Sequence, residues 1–181
     1  MIKLFDNSVI SSMAREIKSV EVFPIVQSRY SIQLTKDVIV ECENSKDLKM
    51  IDKIRDISAV DVEINLFQRT MDVIRNIDYR LGCGEVSVMA ASIILTHNKI
   101  ENYAVIDDGY ARKILPEILS NNKLLGMFGD TLSHVKHTGT VGLICHLKTK
   151  GLLSSEESVL IADDLTESSF RISSKLLDCL R

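Results

Sequence analysis

Two short apolar runs of this chain end in carboxylates. Ile2-Lys3-Leu4-Phe5 stops at Asp6, and Tyr103-Ala104-Val105-Ile106 stops at Asp107-Asp108. Runs of that length read as buried strands, and in open α/β sheets ligands bind beyond the carboxyl ends of the strands. Each acid also has a plain structural reading, because Asp is a good turn residue and helix N-cap. Glu85 falls in the first turn of an apolar helix, where the helix dipole favours a carboxylate. Glu41 sits among Val38, Ile39, Val40 and Cys42, and a carboxylate in such apolar company is either partnered or costly. Convergence of these groups would raise their pKa values through mutual repulsion unless a cation lay among them. An all-oxygen cluster suits Mg²⁺ or Mn²⁺ better than Zn²⁺. Such a site activates water and stabilises charge developing on a phosphate, so the expected chemistry is phosphodiester hydrolysis.

The elements that must position these acids alternate along the chain. Ile2 to Phe5 reads as a strand, and Val9, Ile10, Met13, Ala14 and Ile17 recur at helical spacing. Thr35 is placed to cap a helix from Lys36 that carries Val38, Glu41, Leu48 and Ile51. The alternation over Ala59 to Leu66 predicts a strand, and Phe67 to Ile77 a helix. Val86 to Leu95 is apolar almost all round, as in a helix buried on most sides. Gly82 and Gly84 before it lack the Lys-Ser/Thr of a phosphate-cradling loop and read as a tight entry into that helix.

After Asp108 the pattern predicts a helix through Ala111, Arg112 and Ile114, an insertion or mobile loop over 116–133, and a strand from Ser133 to His137. A helix follows from Thr140 to Lys150, with Gly151 as its C′ residue. Ser154 and Glu157 form a capping-box pattern, and a last helix runs from about Ile172 to Leu180. Short apolar strands between helices imply a parallel sheet covered on both faces. The expected fold is a single α/β domain over residues 1–181, a three-layer α/β/α sandwich with a central, mainly parallel sheet.

Composition narrows the class. The chain has 181 residues, is 45% hydrophobic, and carries 22 Lys plus Arg against 25 Asp plus Glu, a net charge of −3. No apolar run nears the ~20 residues of a membrane span, and Asp6 interrupts any signal-peptide core, so a cytoplasmic protein is expected. Without a basic excess, a polyanion partner must be held by local geometry or metal ions. Cys42, Cys83, Cys145 and Cys179 show no C-x-x-C pair and read as small core residues. His134 and His137, on an expected strand, face opposite ways and do not form a metal pair.

Six segments, taken in order, resemble the PIN-domain family, in particular a branch of the VapC-type toxin ribonucleases. These are Asp6-Asn7-Ser8-Val9-Ile10; Thr35 with Glu41 six residues on; Leu81-Gly82-Cys83-Gly84-Glu85, similar to "L-G-x-G-E"; and Asp107-Asp108-Gly109-Tyr110-Ala111-Arg112, similar to "D-D-x-x-A-R". The series continues with Thr138-Gly139-Thr140-Val141-Gly142 and Lys148-x-Lys150-Gly151-Leu152, and ends at Phe170-Arg171-Ile172-Ser173.

The resemblance implies a Mg²⁺- or Mn²⁺-dependent endoribonuclease with Asp6, Glu41, Glu85 and Asp108 as its acidic, catalytic and metal-holding set. Asp107 is the neighbour able to act in place of Asp108, and Glu43 is the fallback for Glu41. Ser8 would orient a carboxylate or contact phosphate, and Arg112 would touch substrate or form a surface ion pair. RNA is the implied partner, a homodimer the implied assembly, and the toxin role would bring a protein antitoxin that blocks the acidic cleft. The sequence departs from the pattern in its long Leu115–Val135 segment and in Ile106, where Thr or Ser is common. Two rival readings stand beside this one: a PIN-like nucleic-acid-binding or assembly module with little activity, and a hydrolase of small phosphoesters.

Overall fold

The computed structural model describes residues 1–168, 170 and 174–181. Its first strand, β1 (Ile2–Phe5), runs into a helix, α1 (Asn7–Ser11), which widens into a π-helical turn over Ser12–Glu16. Next come α2 (Val22–Arg29), β2 (Ser31–Gln33), α3 (Lys36–Asn44), α4 (Leu48–Ile54), α5 (Ile64–Ile77) and α6 (Cys83–His97). The second half holds β3 (Asn102–Val105), α7 (Gly109–Leu119), α8 (Asn122–Phe128), a 3₁₀ segment Gly129–His134, and β4 (His137–Thr138). It closes with α9 (Thr140–Thr149), α10 (Ser155–Glu167) and α11 (Ser174–Leu180).

All strand pairs are parallel and the spatial order is β2-β1-β3-β4, with Leu4 opposite Ala104 and Phe5 opposite Val105. Helices flank this sheet, as the alternation of strands and helices requires, and the architecture is an α/β/α sandwich. The chain leaves β1 toward β2 and later returns past it to β3. The connections therefore diverge between β1 and β3, and in open α/β sheets the ligand crevice lies beyond the carboxyl ends of the strands at such a switch point. Asp6 follows β1 directly, and Asp107 follows β3 one residue on, after Ile106.

The central helix α6 is buried from Val86 to Leu95, in keeping with its lack of a polar face. Gly151 sits at φ 69° just past α9, where its N–H donates to the Lys148 carbonyl and that of Leu152 to Leu147. This is the left-handed C′ position at which a side chain is strained. Ser154 and Glu157 form the reciprocal capping box of α10.

Several expectations are corrected. The alternating stretch 59–66 is not a strand: Ala59 makes one bridge to Leu34, and the Glu63 carboxylate accepts the N–H groups of Asn65 and Leu66, starting α5 at Ile64. The segment 116–133 is not an irregular loop but the end of α7, then α8 and the 3₁₀ turn, with Leu124, Phe128 and Leu132 buried. Asn121 caps α8 through the Lys123 N–H, so Asn121-Asn122 starts a helix where it was read as a break. Cys145 and Cys179 are disulfide-bonded, with Cα atoms 6.1 Å apart, and Cys83 is exposed, so only Cys42 is a buried free thiol. The Phe170–Ser173 ending falls, from residue 171 on, outside the described residues, and α11 begins at Ser174. Among the described residues no helix is long and apolar enough to cross a membrane.

Lys3 is the unexpected charge inside this fold. It is 2% exposed, and its Nζ lies 3.9 Å from the Tyr103 ring centre and 4.7 Å from that of Tyr30. Burial pulls its pKa from 10.5 down to about 8, while the aromatic faces recover part of the desolvation cost. Below pH 8 the folded state carries a charge it disfavours, and between 8 and 10.5 the unfolded chain binds more protons, so stability from this residue rises with pH. Urea unfolding of wild type and Lys3→Met should show the variant more stable at pH 7, with the gap closing toward pH 10; a less stable variant at pH 7 would show that the rings outweigh the desolvation.

Candidate functional site

The crevice between β1 and β3 is lined by carboxylates from four segments. Asp6, 1% exposed, caps α1: its Oδ1 accepts the Asn7 N–H at 2.7 Å and its Oδ2 the Ser8 hydroxyl at 2.6 Å. Glu41 projects from α3 with Oε1 accepting the Gly84 N–H at 2.8 Å. Gly84 explains how they meet. A Cβ on Gly84 would lie 2.6 Å from Glu41 Oε2 and 3.0 Å from Asp6 Oδ1, so both carboxylates close over one bare stretch of backbone. The glycine makes room for acids, a role beyond the tight helix entry expected of it.

A buried chain of hydroxyls fixes this geometry. Thr35 caps α3 through the Val38 N–H, and its Oγ1 lies 2.6 Å from Ser87 Oγ, which donates to the Gly84 carbonyl at 2.8 Å. The first turns of α3 and α6 are thereby tied together, which sets Glu41 against Gly84. Glu85, in the same turn of α6, folds its carboxylate back over Gly82 and lies close enough to raise the pKa of both Asp6 and Glu41.

Of the acid pair after β3, Asp107 is the one built into the crevice. Its Oδ1 accepts the Thr140 N–H at 2.7 Å, its Oδ2 the Thr140 hydroxyl at 2.5 Å, and Ser12 Oγ lies 3.1 Å from Oδ2. The Asp107 N–H donates to Ser8 Oγ at 3.4 Å, so one hydroxyl joins Asp6 and Asp107. Asp108 is exposed and caps α7 through the Ala111 N–H at 2.6 Å. Arg112 shares the space beside Gly139 with Asp107. Glu43 is exposed.

The structure thus brings together Asp6, Glu41 and Glu85 and joins Asp107 to them through Ser8, while Asp108 and Glu43 face solvent. Ser12, Ser87 and Thr140 are parts of the site to which no role was given from the sequence. Thr140 lies inside a segment singled out for its motif, and Ser12 stands one helical turn after Ser8, the two signals that were present.

The electrostatics are one-sided. Burial is the largest cause of the rise in the Asp6 pKa to about 7, opposed by the Ser8 hydrogen bond and reinforced by Glu85 and Glu41. Glu41 is also raised, first by burial and then by Glu85 and Asp37. Among the described residues no Lys or Arg forms an ion pair with Asp6, Glu41 or Glu85. Nor do any three His, Cys, Asp or Glu of the described residues close tightly enough to form a full metal cage. The donor set is oxygen only, with two carboxylates converging and others around them. That suits a small hard cation, which keeps several waters and is held by one or two carboxylates.

No family model, curated protein or solved structure matches this chain.

Asp6 makes the metal-free protein sensitive to pH. Its carboxyl keeps its proton up to about 7 when folded and to 3.8 when unfolded, so its contribution to stability falls as pH rises through that window. The lowered carboxyls of Asp47, Asp78, Glu157 and Asp164 act with the opposite sign, so the comparison must be with a variant. In EDTA, Asp6→Asn should be the more stable form at pH 8 by up to a few kcal/mol and should lose that advantage at pH 4. Equal unfolding curves at pH 8 would mean that Asp6 is not a strained carboxylate.

Proposed function

We propose that this protein is a Mg²⁺- or Mn²⁺-dependent endoribonuclease whose centre is the Asp6–Glu41 pair. The observation that carries the reading is the closure of those two carboxylates over Gly84, beside Glu85, with no Lys or Arg among the described residues paired to either. A divalent cation offsets such a cluster, and the pair fits one in donor type and in charge. When bound, the ion supplies an activated water and charge stabilisation at a phosphate. RNA as substrate rests on the ordered resemblance of the motif segments to PIN ribonucleases.

The chain's own groups divide the remaining work. Asp6 and Glu41 hold the cation, Glu41 with Oε1 fixed by the Gly84 N–H and Oε2 left free. Ser8 orients Asp6 and, through the Asp107 N–H, spaces it from the second central strand. Thr140 and Ser12 hold both oxygens of the Asp107 carboxylate. Glu85 borders the pair and adds to the negative charge there, and Arg112 stands beside Asp107 at Gly139. Asp108 keeps to capping α7.

Cleavage of a labelled RNA with Mn²⁺, and with EDTA, tests the reading. Activity should require metal and fall by about 100-fold or more in Asp6→Asn and Glu41→Gln, and by about tenfold in Thr140→Val, which loses a support of Asp107. Asp108→Asn, equally good as an N-cap, should stay within a few-fold of wild type. Cleavage that survives Asp6→Asn or ignores EDTA would refute the assignment, and turnover of small phosphoesters without RNA cleavage would move it to the hydrolase reading.

A further inference from the structure

The segment leading into α6 carries an arginine held more firmly than stability explains. Asp78, 5% exposed, grips Arg80 at both ends of its carboxylate: Nε donates to Oδ1 at 3.0 Å and Nη2 to Oδ2 at 2.7 Å. The Arg80 backbone N–H adds a third bond to Oδ1 at 2.9 Å, and the Tyr110 hydroxyl bonds to Asp78 and meets Arg80 Nη2. The Arg80 guanidinium carbon lies 4.5 Å from the centre of the Tyr110 ring. These hydrogen bonds hold the Asp78 carboxyl below its usual range, so the pair is ionised and its charges cancel locally.

Arg80 nevertheless keeps 59% of its side chain in solvent. Exposed ion pairs add little to stability and cost side-chain entropy, so a flat, fixed, half-open guanidinium is better suited to recognition. Its place supports that use. Arg80 stands two residues before Gly82 and five before Glu85, and Tyr110 two after Asp108. The cluster therefore ties the segment leading into α6 to the first turn of α7, the two stretches of chain next to Glu85 and Asp107.

We infer that the outer face of the Arg80 guanidinium, backed by Tyr110 and held flat by Asp78, is a stacking subsite for the base of a nucleotide next to the acidic centre. The inference rests on the nuclease reading and names a base-contacting group for it. Unpaired bases stack on arginine planes as on aromatic rings. With its charge already met by Asp78, Arg80 contributes a plane rather than a phosphate contact, so the salt dependence of binding should barely involve it.

The test is fluorescence anisotropy of a phosphorothioate-linked single-stranded oligoribonucleotide, and of its blunt duplex, with the full chain and with Arg80→Lys and Arg80→Ala. Circular dichroism and Mn²⁺ titration of each variant report the fold and the acidic centre separately. Both variants should weaken single-strand binding by about tenfold with an unchanged salt slope, unchanged Mn²⁺ binding and little change on the duplex. Full binding by Arg80→Lys would overturn the stacking role in favour of a charge contact. Full binding by Arg80→Ala, or no single-strand binding by wild type, would overturn the subsite altogether. Arg80-dependent binding in a protein with no Mn²⁺ site would keep the subsite and sink the nuclease reading, and metal-dependent cleavage indifferent to Arg80 would do the reverse.

Discussion

Carboxylates placed where water cannot fully solvate them, with no lysine or arginine among the described residues paired to them, are the constraint around which this structure is arranged. Asp6 is buried at the end of the first strand, and Glu41 is brought onto it from another helix. Their repulsion opposes folding, and burial adds to it by disfavouring the charged forms. A fold that keeps such a group against its own stability needs a rigid frame. Here that frame is the parallel pair β1–β3 below and the hydroxyl chain Thr35–Ser87–Gly84 above. Natural proteins accept a cost of this kind at sites that act, and compensate for it elsewhere.

The rest of the architecture can be read as that frame. The order β2-β1-β3-β4 places the divergence of connections between β1 and β3, so the residues just past Phe5 and Ile106 face a crevice by topology alone. The apolar α6 packs against both strands and delivers Gly84 and Glu85 to the same place. At the far side, α9 begins with Thr140, whose N–H and hydroxyl both hold Asp107. Asp78, Arg80 and Tyr110 then lock the segment leading into α6 to the first turn of α7. The site is thus assembled from helix and strand ends, and each acid has a hydrogen-bonding or steric reason for its position.

Much of this was legible in the sequence because it is local. The strands ending in Asp6 and Asp107, the Thr35 cap, the all-round apolar α6, the Ser154–Glu157 box and Gly151 each announce themselves within a few residues. What was not legible depends on contacts distant in the chain. Nothing local separates Asp107 from Asp108; the hydroxyls of Ser8, Ser12 and Thr140 do. Gly84 shows its second role only once Glu41 arrives from 43 residues away. The three-residue β2 is too short to signal itself, and α2 hides behind Pro24, which its first turn tolerates because the N–H there needs no partner. The stretch 59–66 misled because Val60 and Val62 alternate in a connector that a capping Glu63 turns into a helix.

Placing the cation directly tests the central claim. A crystal soaked in Mn²⁺ and measured for anomalous scattering should show an ion between the Asp6 and Glu41 carboxylates at a ligand distance of roughly 2.1 Å, with Gly84 beneath it, and should show none in Glu41→Gln. An ion seated on Asp108 away from Asp6, or no ion at the crevice at saturating Mn²⁺, would contradict the account.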